Sequence, residues 1–244
     1  MPIVSAFPRE SFHLLGSCSN EHESVQRFLP RIDRLIHLLN RSDGCQRIAR
    51  VRSRWHPGKG SDELFAERPM GAVEYVRGGR AHWYIIHRGG RWEPQFNVGM
   101  FGGPVGQARY VRFGVGFCLN LHSQDPEREA RLIDLEHLFH VFVRLLRGPH
   151  RQEVRRLLST CKHLTLERDG AVPDTALDSP DRIIDWLLAW EHPSGWVFLG
   201  DRLSPDVASE RQILENWYRL ITTIDSGFAA WQPVWEMIWR EAAD

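Results

Sequence analysis

The sequence predicts an α+β protein in which an antiparallel β-meander packs against several α-helices. The main observation is that the tetrapeptide Arg-Gly-Gly-Arg occurs twice, at residues 77–80 and 88–91, with alternating segments beside each copy. A Gly-Gly pair in this setting is typical of a two-residue hairpin, because a type I′ turn needs positive φ at both central residues. In addition, apolar residues recur at helical spacing before residue 40 and after residue 126.

The two hairpin turns define three consecutive strands, at residues 72–77, 80–88 and 91–101, and a fourth strand is expected at 110–121. Successive side chains of a strand point to opposite faces, so the sequence also assigns faces. One face of the last two strands is apolar and is formed by Trp92, Pro94, Phe96, Val98, Met100, Val111, Phe113, Val115, Phe117, Leu119 and Leu121. Two further strands are predicted at 164–167 and 195–203, and on the second of these Trp196, Phe198 and Gly200 share a side.

Helices are predicted on both sides of the meander in the sequence. They are expected at residues 23–39 with a kink at Pro30, and at 126–147, 152–159 and 180–190. Ser204-Pro205 is expected to begin a helix that ends near residue 224, and a separate final helix carries Trp231, Trp235 and Trp239 at four-residue spacing. Residues 40–71 contain the sequence Trp55-His56-Pro57-Gly58-Lys59-Gly60, which is expected to form a loop that leads into the sheet.

The composition is that of an ordinary globular protein. The chain has 244 residues, 42% of them hydrophobic, and 31 basic residues balance 31 acidic ones, so no global field attracts it to nucleic acid or membranes. We expect one domain over 1–244; the alternative is a helix-plus-meander part at 1–122 and a mainly helical part at 123–244. Because no signal peptide, membrane span or Cys-x-x-Cys pair is evident, we expect a cytoplasmic protein that does not bind membranes.

The face opposite the apolar one carries the candidate site. Glu93, Gln95 and Asn97 should lie beside Arg112 if the third and fourth strands pair, and Gly114 and Gly116 would form a floor without side chains among them. Glycine inside a strand often marks the close approach of a ligand or of another backbone. Amide groups and an arginine can read the hydrogen-bonding edges of a base. The alternative is a purely structural face, whose glycines accommodate curvature or a packed helix.

These residues favour a nucleic-acid-binding protein that recognises DNA or RNA, and a bacterial restriction or defence system would suit such a module. The arginines of the two turns, Arg77, Arg80, Arg88 and Arg91, are the candidates for phosphate contacts, because guanidinium groups bind phosphate oxygens. Gln95, Asn97 and Arg112 are the candidates for base edges. No cofactor is evident from the sequence.

A second hypothesis is a metal-dependent nuclease or hydrolase that uses Mg²⁺. Glu93-Pro94-Gln95 resembles a variant of the restriction-endonuclease strand in which glutamine replaces the usual lysine. Such a site needs a second carboxylate, for which Glu74 is the nearest earlier candidate, although a simple meander puts a strand between the two. His82, Tyr84 and His87 on the second strand are further candidates, which would join Glu93 in an acid–base cluster.

A third hypothesis is a non-enzymatic interaction protein. Its tryptophan-rich C-terminal helix, with Trp231, Trp235 and Trp239 along one side, would contact a partner protein or a second copy of the chain. The sequence leaves open whether the chain is an enzyme.

Overall fold

The computed structural model describes residues 5–17, 23–49, 82–86, 94–102, 109–119, 126–168, 179–190 and 195–242. Within these ranges the helices are α1 (Arg9–Ser17), α2 (Glu23–Asn40), α3 (Asp43–Ala49), α4 (Pro126–Leu145), α5 (Arg151–Thr160), α6 (Pro180–Leu188), α7 (Ala208–Leu214) and α8 (Trp217–Glu241). The strands are β1 (His82–Ile86), β2 (Gln95–Gly102), β3 (Arg109–Cys118), β4 (His163–Arg168) and β5 (Gly195–Leu203). The predicted α+β class is confirmed.

The five described strands form one antiparallel sheet in the order β1-β2-β3-β5-β4. The predicted pairing of the meander strands β2 and β3 is confirmed, and Phe96 lies opposite Val115, as the apolar alternation requires. Strand β5 lies beside β3, although helices α4, α5 and α6 and strand β4 separate them in the sequence. The sheet therefore joins strands from both halves of the chain. The predicted first strand at 72–77 lies outside the described residues.

The β1–β2 pairing differs from the register that a two-residue turn at Gly89-Gly90 predicts. Such a turn would place Ile86 opposite Glu93, whereas Ile86 lies opposite Asn97, four positions further along the chain. An uninterrupted two-residue hairpin is therefore inconsistent with the observed pairing, and the turn itself lies outside the described residues. Because the shift is an even number of residues, each side chain keeps its predicted face.

One face of the sheet, which we call the packed face, is covered by helices. On it, Phe96 contacts Phe228 and Trp235 of α8 at ring-centroid distances of 5.2 and 4.8 Å, and Phe117 contacts Phe142 of α4 at 5.4 Å. The packed face consists of Phe96, Val98, Met100, Val111, Phe113, Val115, Phe117, Val197, Leu199 and Leu203, all of which are buried. Burying a large apolar side chain stabilises the fold by roughly 1.5–3 kcal/mol, so this layer holds the sheet and helices together.

Helix α8 lies very close to the packed face at one glycine. A Cβ atom added at Gly227 would lie 2.6 Å from the ring of Phe113, a distance that real contacts do not reach. Only glycine lets the helix approach the strand this closely without displacing the ring. Helix α8 and strand β3 are therefore in close contact at this position, and the contact requires glycine at residue 227.

The C-terminal helices differ from the prediction. Instead of one helix that ends near residue 224 and a separate tryptophan helix, the chain breaks after Leu214 and then forms a single helix, α8, which continues through Pro233. Asn216 begins α8, because its side-chain oxygen accepts a hydrogen bond from the backbone N–H of Arg219 at 3.0 Å. Packing of the apolar side of α8 on the sheet offsets the one backbone hydrogen bond that Pro233 removes.

Helix α3 lies in a segment for which the sequence predicted no helix or strand. The carboxylate of Asp225, on α8, accepts hydrogen bonds from the backbone N–H groups of Gly44 and Cys45 at 3.1 and 2.9 Å and from the Ser42 hydroxyl at 2.6 Å. A carboxylate at a helix N-terminus satisfies N–H groups that have no partner inside the helix. Because this cap comes from a distant part of the chain, local sequence patterns do not reveal the helix.

The tryptophan stripe of α8 belongs largely to the core. Trp231 and Trp235 are only 5% and 6% exposed, and the half-buried Trp239 packs against the same cluster. The first two tryptophans therefore stabilise the fold directly, and a partner would have only Trp239 of the stripe to contact. In the described part of the chain, no helix combines the length and the hydropathy needed to cross a bilayer.

Candidate functional site

The second face of the sheet carries a cluster of rings around one arginine. The strand register brings Phe101 opposite Tyr110, and it brings Phe198 opposite Gly116. His163 of β4 lies opposite Gly200 of β5 on the same face. We call this surface the aromatic–arginine face and define it by Phe101, Tyr110, Arg112, His163, Trp196 and Phe198.

The rings of this face contact one another across the sheet. Phe101 and Tyr110 stack with centroids 4.7 Å apart and an interplanar angle of 25°. Tyr110 lies 5.0 Å from His163, whose ring meets the edge of Phe198 at 5.7 Å. These separations are typical of favourable aromatic pairs, so the rings hold one another in fixed positions.

Arg112 lies among these rings. Its guanidinium carbon is 4.3 Å from the centroid of the Phe198 ring, 4.9 Å from that of Phe101 and 5.8 Å from that of Trp196. All three distances fall within the range of cation–π attraction, and a planar guanidinium also stacks on ring faces. The arginine is thereby held in a defined position above the sheet, where its plane can take part in stacking.

The glycines of this face are required by close contacts, and they do not form an open floor. A Cβ atom at Gly114 would lie 2.6 Å from the Cα of Gly200, which is its partner on β5, and a Cβ at Gly116 would lie 3.1 Å from the Trp196 ring. A Cβ at Gly99 would lie 3.3 Å from Nε of Arg112, so the arginine side chain extends across this glycine. The space next to each glycine is therefore occupied: by the backbone of β5 at Gly114, by the Trp196 ring at Gly116 and by the Arg112 side chain at Gly99.

The two amide side chains predicted to read base edges are buried beneath this surface. Gln95 and Asn97 are each 1% exposed, and Nδ2 of Asn97 donates a long hydrogen bond of 3.4 Å to Oε1 of Gln95. Among the described residues, Oδ1 of Asn97 has no hydrogen-bond partner. A buried acceptor without a donor is rare in native proteins, where such atoms are commonly satisfied by an ordered water molecule.

Burial keeps the two titratable rings of the face uncharged. Burial, together with the positive charges of Arg112 and Arg202, lowers the pKa of His163 to about 3. Burial also raises the pKa of Tyr110, against the opposing effect of the same two arginines. At neutral pH the imidazole and the phenol are therefore neutral, and the charge of the face comes from guanidinium groups.

The described contacts of the large helices are with the other face. The ring contacts of α4 with β3, and those of α8 with β2, are made to Phe117 and Phe96 of the packed face. On the aromatic–arginine face, Phe198 is buried, whereas Phe101, Tyr110, Arg112 and Trp196 are half-buried and keep part of their surface in contact with solvent. Ring surface is therefore available to a ligand at several neighbouring positions.

The structure brings five of the predicted site residues together: Gln95, Asn97, Arg112, Gly114 and Gly116 share one face. The pairing places Gln95 opposite Gly116 and Asn97 opposite Gly114, whereas Arg112 lies opposite Gly99. For His82 and Tyr84, only the backbone positions opposite Phe101 and Gly99 are described. The other candidates lie outside the described residues, namely Glu74, Arg77, Arg80, His87, Arg88, Arg91 and Glu93.

No metal centre can be assembled from the side chains that the structure describes. Among them, no group of three histidine, cysteine, aspartate or glutamate residues could hold a metal ion. The Mg²⁺ hypothesis depends on Glu74 and Glu93, whose positions are not described, and it stays a prediction from the sequence.

Sequence reasoning missed the residues that β4 and β5 contribute to the face. His163 and Trp196 reach Arg112 only because β5 pairs with β3, which no local pattern indicates. One feature of the sequence could have indicated this pairing. Strand β5 has a glycine, Gly200, on the same side as Trp196 and Phe198, and β3 has glycines on one side as well. Because a glycine in a strand often marks the close approach of another backbone, the two glycine-containing strands were candidates for neighbours.

Comparison with known proteins gives no relative from which a role could be transferred. No protein-family model, no curated protein and no solved structure matches the chain.

Proposed function

We propose that the aromatic–arginine face binds single-stranded nucleic acid, DNA or RNA, with bases stacked on its rings and on the Arg112 guanidinium. The observation that supports this proposal is the position of Arg112, which lies 4.3 to 5.8 Å from three ring centroids on a half-exposed sheet surface. Bases stack on aromatic side chains and on guanidinium planes, and antiparallel sheets that present such groups are a common way to bind unpaired strands.

The arrangement favours unpaired bases over duplex. In a duplex both faces of each base are covered by neighbouring bases, so rings on a broad sheet cannot reach them. Phe101, Tyr110 and Trp196 come from three different strands of the sheet and are each half-buried. Several bases of one strand could therefore contact the sheet at the same time.

Hydrogen-bonding groups lie beside the stacking surface. Asn97 Oδ1 is an acceptor without a donor among the described residues, but the side chain is only 1% exposed, so the N–H donors of a base edge could reach it only after the face rearranges. Arg77, Arg80, Arg88 and Arg91 remain the predicted phosphate contacts at the rim.

The balanced charge of the chain indicates how the binding energy is divided. With 31 basic and 31 acidic residues, the chain lacks the excess positive charge on which non-specific phosphate binding depends. Stacking should therefore contribute more of the affinity than phosphate contacts do. Removal of one ring should weaken binding more than removal of one charge.

The test is a binding titration with a labelled single-stranded oligonucleotide and its duplex, followed by fluorescence anisotropy. We expect the chain to bind the single strand and to prefer it to the duplex. Trp196→Ala should weaken binding by about 5- to 150-fold, because each base–aromatic stack contributes roughly 1–3 kcal/mol. Circular dichroism of the variant checks that the fold persists.

A matched control is available on α8. Tyr218 is 80% exposed and lies away from the sheet, so Tyr218→Ala should leave the affinity unchanged. If Trp196→Ala binds as tightly as the parent chain, or if neither DNA nor RNA binds at all, the proposal is wrong. A role in restriction or another defence system, and hydrolysis around Glu74 and Glu93, stay predictions from the sequence.

A further inference from the structure

Two arginines occupy directly opposite positions on the central strands of the sheet. The register places Arg112 of β3 opposite Arg202 of β5. Residues in this relation project on the same face with Cβ atoms about 4.5–5.5 Å apart. Two like charges at such a position repel each other, so an anion bound between them would relieve the repulsion.

Among the side chains that the structure describes, no acidic one near this pair forms an ion pair with Arg202. Asp201 lies opposite Phe113 and therefore belongs to the packed face, where it accepts a hydrogen bond from the backbone N–H of Lys162 at 3.1 Å. Glu167 lies opposite Trp196, at the other end of β5 from Arg202. None of the ion pairs found among the described residues involves Arg202, which is exposed to solvent.

The groups around the two arginines suit an anion. Both arginines lower the pKa of Tyr110 and of His163, so both positive charges are felt at these rings. The phenol of Tyr110 and the imidazole of His163 are neutral at neutral pH, and neither introduces a negative charge. A hydroxyl group and a neutral imidazole can each donate one hydrogen bond to an oxyanion.

We propose that Arg112 and Arg202 together bind one phosphate group of the ligand on the aromatic–arginine face. The inference rests on the proposed function for the source of that phosphate, which is then the backbone of the bound strand. The same chemistry would hold the phosphate of a mononucleotide or inorganic phosphate. Guanidinium groups present paired N–H donors that match phosphate oxygens, and two of them on neighbouring strands can contact one phosphate from two sides.

This assignment also explains why the stacking surface and the charged pair are adjacent. Arg112 contacts the rings of Phe101 and Phe198 through its guanidinium and lies opposite Arg202. A nucleotide joins a flat base to a phosphate, so a site for it needs a ring surface and a cationic group side by side. The central pair of strands provides both.

The test uses Arg202→Gln, because Arg202 is exposed and its replacement should not disturb the core. Oligonucleotide affinity is measured over a range of salt concentrations in the parent chain, in Arg202→Gln and in Arg219→Gln. Arg219 is exposed on α8, so its replacement removes the same charge away from the sheet. Arg202→Lys keeps the charge and serves as the conservative variant.

Loss of one phosphate contact on a single strand reduces the slope of log K against log salt by about 0.7. We expect this reduction in Arg202→Gln only, with Arg202→Lys and Arg219→Gln retaining the parent slope. If the oligonucleotide binds and Arg202→Gln keeps the parent slope, the phosphate site is wrong while the nucleic-acid proposal stands.

A second arm distinguishes the sources of phosphate. The arginine side-chain NMR signals are followed while inorganic phosphate, and separately a mononucleotide, is added. A response of Arg202 to either probe in a chain that binds no oligonucleotide would support the phosphate site and reject nucleic acid as its ligand. No response to phosphate, mononucleotide or oligonucleotide would overturn the site itself.

Discussion

The two faces of the sheet are built from the same strands and both are rich in aromatic rings, yet their surroundings differ. On the packed face, Phe117 stacks on Phe142 of a helix, and the neighbouring side chains are almost all apolar. On the aromatic–arginine face, Phe101 stacks on Tyr110 of the next strand, and Arg112 lies over the Phe101 ring. The comparison teaches that aromatic rings are present both in the core and on the candidate site, and that the candidate site differs by the arginine placed among its rings.

The same contrast appears in the use of glycine. Gly227 of α8 lets a helix approach Phe113 on the packed face, and Gly114 and Gly200 let two strands approach each other on the opposite face. In the first case glycine serves helix–sheet packing. In the second it serves the close approach of β3 and β5, and a different glycine, Gly99, is the one across which the Arg112 side chain extends.

The largest expected effect is on the packed face. Phe96→Ala removes a fully buried ring that contacts Phe228 and Trp235, and it should lower the free energy of unfolding by about 3–5 kcal/mol. Phe101→Ala, on the other face, removes a half-buried ring and should cost clearly less. Urea denaturation of both variants measures the difference, and equal losses would mean that the two faces do not differ in how they stabilise the fold.

The second largest loss of stability is expected where β3 and β5 approach each other closely. A Cβ at Gly200 would lie 2.8 Å from the Cα of Gly114, so Gly200→Ala should destabilise the chain by about 1–3 kcal/mol through overpacking. Gly148→Ala is the matched control, because a Cβ there meets no atom closer than 3.9 Å. The control should be neutral or slightly stabilising, since alanine restricts the unfolded chain. Thermal unfolding of the two variants should therefore give shifts of different size, and a similar loss in both would contradict the close contact.

A third prediction concerns pH. The pKa of His163 is lowered to about 3 in the folded chain, whereas an unfolded histidine titrates near 6.5. The unfolded state therefore binds an extra proton below about pH 6.5, so the contribution of the neutral imidazole is present above that pH and is lost as the pH falls toward 3. The slope from this one group is at most about 1.4 kcal/mol per pH unit.

His163→Phe isolates that slope, because it keeps a ring next to Tyr110 and Phe198 and removes the titration. Between about pH 6.5 and pH 4, the free energy of unfolding should fall less steeply in the variant than in the parent chain. Other histidines and carboxyl groups contribute equally to both chains, so the difference between them is the measurement. Parallel curves would show that His163 is not buried in its neutral form.

The smallest effect on stability is expected at Asn97. Its Oδ1 has no donor among the described residues, so Asn97→Leu should change the free energy of unfolding by less than about 1 kcal/mol. Asn216→Leu is the control, since Asn216 accepts a hydrogen bond at the start of α8 and its loss should cost about 1 kcal/mol. If Asn97→Leu lowers the oligonucleotide affinity and keeps the stability of the parent chain, Asn97 Oδ1 contributes to ligand binding. If Asn97→Leu loses more stability than the control, Asn97 instead stabilises the fold.

The features that were predicted correctly are those that depend only on neighbouring residues in the sequence. Alternation along β2 and β3 gave the correct faces, because side-chain direction in a strand depends only on the parity of the sequence. The same parity correctly grouped Gln95 and Asn97 with Arg112 and the two glycines. The helix at residues 126–147 was found because its apolar spacing is a local property, and it corresponds to α4, Pro126–Leu145.

The failures are equally specific. The register of β1 against β2 is set by the whole sheet and not by the Gly-Gly pair alone, so the two-residue turn predicted the wrong partner for Ile86. Helix α3 depends on the carboxylate of Asp225, which lies far away in the sequence. Neither feature leaves a pattern within a short window.

By itself, therefore, the sequence determined the α+β class, the two faces of the meander strands and the membership of Arg112 in the polar face. Only the tertiary structure decided which strand lies beside β3, and with it the rings that surround the arginine and the second arginine opposite it. The physical reason is that side-chain direction follows from local backbone geometry, whereas strand order follows from the packing of the whole chain. The candidate site lies where strands distant in sequence meet, so it became visible only when those strands were paired.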